Sequence, residues 1–110
     1  MNRVGLDPSS APRVCALIPA FNEADCIGRV VAGVARLVDT VLVVDDGSSD
    51  GTADAARRAG ADCLRLERNG GKGLAIRAGL ASLLDRGFTH VLFMDGDGQH
   101  LPEDVPSLLG

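Results

Sequence analysis

Val41-Leu-Val-Val-Asp-Asp-Gly-Ser-Ser-Asp-Gly-Thr52 runs from a short apolar stretch through an acidic turn to helix-start residues. Four consecutive apolar residues, three of them β-branched, read as a strand buried on both faces. Asp45-Asp46-Gly47 is a turn sequence. Ser48, Ser49 and Asp50 are capping residue types, and they predict an Ala-rich helix over roughly 51–59, closed by Gly60.

The same order of signals recurs on both sides. Upstream, Val14-Cys-Ala-Leu-Ile18 is a second apolar run, stopped by Pro19. Asn22 is placed to cap a helix predicted over 23–38, where Ile27, Val30, Val31, Val34, Leu37 and Val38 recur at helical spacing. Downstream, Asp62-Cys-Leu-Arg-Leu66 reads as a strand and Asn69-Gly-Gly-Lys-Gly73 as a loop. A helix carrying Leu74, Ile76, Ala78, Leu80, Leu83 and Leu84 follows and ends at Gly87. Val91-Leu-Phe-Met94 is the fourth strand, running into Asp95-Gly96-Asp97-Gly98, and Pro102 sits where a proline starts a helix. Strands alternating with helices predict an α/β fold, a mostly parallel sheet with flanking helices joined by right-handed crossovers. The last helix has barely begun at Gly110, so a chain that continues beyond it is expected.

Composition narrows the classes of function. Of 110 residues, 45% are hydrophobic but only 3% aromatic, so the core must be aliphatic and no base-stacking platform is available. A net charge of -4 argues against a nucleic-acid surface. Cys15, Cys26 and Cys63 are odd in number and form no CxxC pair, which suits reduced thiols and a cytoplasmic protein. Residues 1–13 lack a signal-peptide core and read as a flexible leader. No run approaches the roughly 20 apolar residues of a membrane span.

In an open parallel sheet, ligands bind beyond the carboxyl ends of the strands. Three strands deliver unusual polar residues there: Pro19-Ala-Phe-Asn-Glu23, Asp45-Asp-Gly-Ser48 and Asp95-Gly-Asp97. Asp95 and Asp97 are two apart, a spacing that points extended side chains the same way. Paired carboxylates invite a hard cation such as Mg²⁺ or Mn²⁺, whose open positions a diphosphate can fill, with Gln99 and His100 close behind. Read alone, such a triplet is more often a pair of turn residues. Asp45, at a strand end, reads as an acceptor for a base N–H or a ribose hydroxyl, or as part of an Asp-Gly turn. Asp50, Gly51 and Thr52 read as helix-start residues. The Asn69–Gly73 loop can offer backbone N–H groups and the Lys72 ammonium to phosphates at a helix start, although the P-loop spacing is absent.

In this order, Ile18-Pro-Ala-Phe-Asn-Glu23, Val43-Val-Asp-Asp-Gly-Ser-Ser-Asp-Gly-Thr52, Asn69-Gly-Gly-Lys-Gly73 and Met94-Asp-Gly-Asp-Gly-Gln-His-Leu-Pro-Glu-Asp104 resemble the family 2 glycosyltransferases of the GT-A fold. The nearest branch is that of the dolichol- or polyprenyl-phosphate mannosyl- and glucosyltransferases. The resemblance implies a Rossmann-like, nucleotide-sugar-binding half over residues 14–110, with a UDP- or GDP-sugar as donor and a polyprenyl phosphate as one acceptor. It implies Pro19, Phe21 and Glu23 in the nucleotide pocket, Val43 and Asp45 on base and ribose, and Asp95, Gly96 and Asp97 on ribose and diphosphate. Lys72 joins this set, and Asp97 with Gln99, beside Asp95, would ligate Mg²⁺ or Mn²⁺. Phe21 stands where the branch often has Tyr, and Gly96 where it often has Ala. The catalytic base and the acceptor site are expected beyond Gly110, and a full-length form could work at the inner face of a membrane.

Two other readings stay beside it. A nucleotidyltransferase would carry a Gly-rich basic loop after the first strand, where this chain has Pro19-Ala-Phe-Asn-Glu23; a haloacid-dehalogenase-like phosphatase would carry its acidic pair there. A non-catalytic or truncated nucleotide-binding module would share every feature named above.

Overall fold

The computed structural model describes residues 12–96. Its elements follow in strict alternation: β1 (Val14–Ala20), α1 (Ile27–Val34), β2 (Thr40–Asp45), α2 (Thr52–Arg58), β3 (Asp62–Arg65), α3 (Lys72–Asp85) and β4 (His90–Phe93). The four strands form one sheet in the order β3-β2-β1-β4, and every pairing is parallel. This is the predicted α/β architecture.

Alternation along each strand sorts the side chains to two faces. Ala16, Ile18, Val41 and Val43 join Ile27, Val30, Val31, Val34 and Ala56 in a core under α1 and α2. Cys15, Leu17, Leu42 and Val44 join Ala75, Leu83, Phe88 and Val91 in a second core under α3. Glycine brings α3 close to the sheet. A Cβ on the buried Gly79 would collide with Leu17 Cδ1 and lie 3.0 Å from Val44 Cγ2, so a larger residue there would have to displace the Leu17 side chain or the helix.

The chain order matters for function. From β1 it steps outward to β2 and β3, then crosses back over the other face to lay β4 on the far side of β1. The helices α1 and α2 thus cover one face and α3 the other, and the crevice between the carboxyl ends of β1 and β4, where the strand order reverses, is where open sheets of this kind bind ligands.

The first helix is shorter than the predicted 23–38. The Glu23 carbonyl accepts from the amides of both Cys26 and Ile27, making a turn before the helix starts. The helix ends at Val34, which leaves Leu37 60% exposed. Asn22 does not cap it. With φ 53 it sits in the left-handed region, and its Oδ1 accepts from the Ser49 amide at 3.0 Å while its own amide donates to Ser48 Oγ at 2.8 Å. Gly60 closes α2 as expected, with φ 103. Leu74 and Leu84, predicted on the apolar side of α3, are exposed, and Ala75, Gly79 and Leu83 form its buried stripe instead.

Candidate functional site

A cleft of about 370 Å³ opens at the carboxyl ends of β1 and β4. Its first wall is the chain leaving β1: Pro19, Ala20, Phe21 and Glu23. The left-handed Asn22 turns this segment back, and the loop after β2 pins it. The Glu23 amide donates to Thr52 Oγ1 at 2.9 Å, and the Ala24 amide to Asp50 Oδ2 at 3.2 Å. Asp50 also accepts from the Thr52 amide at 3.0 Å and from its hydroxyl. The Thr52 hydroxyl bond, first among these, holds the Asp50 carboxyl below its ordinary range. The N-cap of α2 is Gly51, with no side-chain cap bond, so Ser48, Asp50 and Thr52 have structural roles other than the expected capping: they fix the floor of the neighbouring loop.

The opposite wall comes from β4. Asp95 and Gly96 follow one residue after the strand, beyond Met94, and reach the cleft. Gly96 is buried against the first wall, where an added Cβ would lie 3.1 Å from Ala20 Cβ, 3.2 Å from Glu23 Cγ and 3.3 Å from the Pro19 carbonyl. The backbone can therefore come this close to the Glu23 stem because position 96 carries no side chain. The Cys26 thiol donates to Glu23 Oε2 at 3.1 Å, steadying that carboxylate.

The third wall is the loop entering α3. The Lys72 ammonium spans the mouth of the cleft and pairs with Asp95 Oδ1. Asn69 and Gly71 line the wall beneath it, with Asp46 behind them. The backbone amides of this loop were expected to face a phosphate, but two of them already hold an anion. Gly70 N donates to Asp46 Oδ1 and Gly71 N to Asp46 Oδ2, each at 2.9 Å. The loop therefore offers the cleft an ammonium and the start of α3, with its Gly70 and Gly71 amides turned inward.

Of the residues predicted for the site, Pro19, Phe21, Glu23, Lys72, Asp95 and Gly96 are brought together. Val43 and Asp45 are not. Val43 is fully buried in the core under α1 and α2. Asp45 is 1% exposed; its Oδ1 accepts from the Ser48 amide at 2.9 Å. Its Oδ2 lies 3.7 Å from Arg65 Nε and has no hydrogen-bond partner among the described residues. The reason is register: Asp45 is still a strand residue paired with Ala20, whereas Asp46 is the first residue free to turn toward the cleft. Asp97, Gln99 and His100 lie outside the described residues, as does nearly all of the predicted leader.

Ala20, Asp46, Asn69 and Gly71 also line the cleft; they fall in the segments expected at this edge, but none of them was singled out as a site residue. Among the described residues no group of three or more His, Cys, Asp or Glu side chains is gathered to hold a metal. Asp95 and Glu23 nevertheless give one cleft two carboxylates, the hard oxygen donors that Mg²⁺ and Mn²⁺ prefer. The Lys72 ammonium pairs with Asp95 at the same place.

Comparison with known proteins decides the family, since the model of glycosyl transferase family 2 matches residues 15–110. The chain belongs to glycosyl transferase family 2. An undecaprenyl-phosphate mannosyltransferase of Micrococcus luteus is 39% identical over 88% of this chain and 43% of its own length. A polyprenol monophosphomannose synthase of Mycolicibacterium smegmatis is 36% identical over 96% of this chain and 44% of its own. Within the family, the chain stands near the polyprenyl-phosphate sugar transferases. Among solved structures, glucosyl-3-phosphoglycerate synthase from Mycobacterium tuberculosis superposes with a TM-score of 0.69 at 28% identity, covering 80% of this chain and 34% of that one. That synthase was crystallised with Mn²⁺, UDP-glucose and phosphoglyceric acid, and also with Mg²⁺ and UDP. The likeness assigns this family 2 chain the GT-A fold. The chain spans less than half the length of each of these relatives.

Proposed function

We propose that residues 14–110 form the donor half of a glycosyltransferase site, binding the nucleoside diphosphate portion of a UDP- or GDP-sugar. The observation that carries this reading is the meeting of Glu23, Lys72, Asp95 and Gly96 with Phe21 in one cleft at the sheet's switch point. Each has a task suited to its chemistry. Phe21, 45% exposed, offers an apolar surface to the base or sugar. Glu23 accepts from hydroxyls, the Lys72 ammonium meets the diphosphate, and Gly96 lets the ligand approach backbone. The solved synthase with UDP-glucose supports a nucleotide-sugar donor.

Asp97 and Gln99, beside Asp95, would hold Mg²⁺ or Mn²⁺. Such an ion, when bound, neutralises the charge that grows on the leaving diphosphate. The chain's own part is to bind and orient: Asp95 and Lys72 fix the two sides of the cleft mouth, and Cys26 keeps the Glu23 carboxylate in place. For the acceptor we propose a polyprenyl phosphate, on the strength of the Micrococcus and Mycolicibacterium relatives. Its phosphate oxygen is already an anion and attacks without a base to ionise it.

Calorimetric titration with UDP-glucose and GDP-mannose, with and without Mn²⁺, tests the reading. The expected result is Mn²⁺-dependent binding of one of them, weakened at least about tenfold in Asp97→Ala, as for loss of a metal-site partner. Binding that ignores both Mn²⁺ and the substitution removes the metal assignment. No binding of either sugar nucleotide removes the donor-site reading itself.

A further inference from the structure

The acid that follows the second strand does something that no ligand contact requires. Asp46 is 4% exposed, and its carboxylate is spent on the loop ahead of α3. Oδ1 accepts from Gly70 N at 2.9 Å. Oδ2 accepts from Gly71 N and from Asn69 Nδ2, each at 2.9 Å. Asn69 Nδ2 also reaches the Asp46 carbonyl at 3.2 Å. Consecutive backbone amides curled around an anion form a nest, the arrangement that elsewhere holds phosphate. Here the anion is internal. With both oxygens taken, Asp46 has little capacity left for a ligand, although it lines the cleft.

The loop it holds cannot hold itself. Gly70 and Gly71 have the largest backbone freedom to lose, and Gly71 stands at φ 98 as the residue before α3. Lys72 is the next residue. The turn after Asp46 is pressed onto the same loop: a Cβ on Gly47 would lie 2.5 Å from Arg68 C and Asn69 N. We propose that Asp46 is a positioning residue for the donor site, which by binding the Asn69–Gly71 turn sets the Lys72 ammonium across the cleft from Asp95. This rests on the donor-site reading above.

The test is a double-mutant cycle between Asp46→Asn and Lys72→Ala, read as affinity for UDP in the presence of Mn²⁺. The Asn side chain keeps the shape of Asp46 but turns one acceptor into a donor facing an N–H. Asp46→Asn is expected to weaken UDP roughly tenfold, the low end for losing an outer-layer hydrogen-bond partner. In the Lys72→Ala background the same change is expected to alter affinity by less than about twofold, because its effect passes through Lys72. Amide hydrogen exchange at Gly70 and Gly71 should accelerate in Asp46→Asn. An Asp46→Asn affinity equal to wild type, or an equal loss in both backgrounds, overturns the positioning role and leaves the donor site intact. Failure of the wild-type chain to bind UDP or GDP overturns both. Should Asp46→Asn not fold, Asn69→Ala on the exposed loop replaces it, with an expected loss of about fivefold for its two bonds to Asp46, again absent without Lys72; a loss that persists there overturns the proposal.

Discussion

At the amino edge of the sheet, polar groups are matched to one another. Val14 N donates to Asp39 Oδ2 at 2.9 Å, and Asp39 N returns a bond to the Val14 carbonyl at 3.0 Å. Arg13 N donates to Thr89 Oγ1 at 2.9 Å. The Arg13 guanidinium lies 4.5 Å over the ring of Phe88, itself 2% exposed, and that of Arg86 lies 5.4 Å over it. At the carboxyl edge the same residue types are distributed differently. Asp46, Asp50 and Thr52 tie loop to loop, while Glu23, Lys72 and Asp95 keep a face toward the cleft. One edge closes the fold, and the other spends part of its bonding on holding a site open. Substitutions at the amino edge should therefore move stability, and those at the cleft should move affinity.

The largest expected effect is at the amino edge. Phe88→Ala removes a ring packed with Cys15, Leu42, Leu83 and Val91, and should cost about 3–5 kcal/mol. Denaturant unfolding measures it. The folded fraction should bind UDP as wild type does, and a selective loss of binding would break the division between the edges.

Next comes a dependence on pH. Burial, the largest cause, pushes the Cys15 thiol from 9.0 up to about 11, and burial also raises Cys63. The folded chain holds the Cys15 proton more tightly than the unfolded chain does. Stability is thus intact below pH 9 and falls as pH rises from about 9 to 11. The Cys15 share of that loss approaches 3 kcal/mol, at about 1.4 kcal/mol per unit. Unfolding followed from pH 8 to 11 should be steeper for wild type than for Cys15→Ala; parallel slopes would place the titration elsewhere.

The strands and the location of the cleft were legible because both rest on local pattern. Apolar runs ending in acidic turns mark strand ends, and the alternation of elements fixes which edge they share. Asn22 was misread for the complementary reason. A capping rule looks a few residues downstream, whereas the Asn22 side chain bonds Ser49, across two elements. Asp45 and Asp46 are adjacent in sequence and opposite in role. Which one faces the cleft depends on where pairing with Ala20 stops, and that is a property of the sheet. Likewise, nothing in Asn69-Gly-Gly-Lys-Gly73 says that its amides are already occupied. The partner is Asp46, far upstream in the chain.

A third expectation sharpens the comparison from the cleft side. Lys72→Ala should weaken UDP by about tenfold, the effect of losing one charge-assisted contact to phosphate. Its pair with Asp95 is exposed, 62% and 37%, so thermal stability should hardly change. Parallel calorimetry and melting curves on this one variant measure both quantities. A large fall in stability with unchanged affinity would mark Lys72 as a strut.

The smallest effect belongs to Arg86, which also tests how the amino edge is held. Its Nη2 lies 2.6 Å from Asp62 Oδ2, with side-chain exposures of 39% and 53%. Water screens such a pair, leaving it worth well under about 1 kcal/mol. Arg86 also covers the face of Phe88, a contact of comparable size that salt affects less. Asp62→Ala removes only the pair, whereas Arg86→Ala removes both. Asp62→Ala should therefore cost less than Arg86→Ala, and its cost should vanish in 1 M salt, an ionic strength at which the screening length is about 3 Å. If Asp62→Ala instead cost as much as Phe88→Ala, the amino edge would be held by charge and not by packing. The contrast with the cleft would then lie in how many of the charges are paired, because both edges would depend on them.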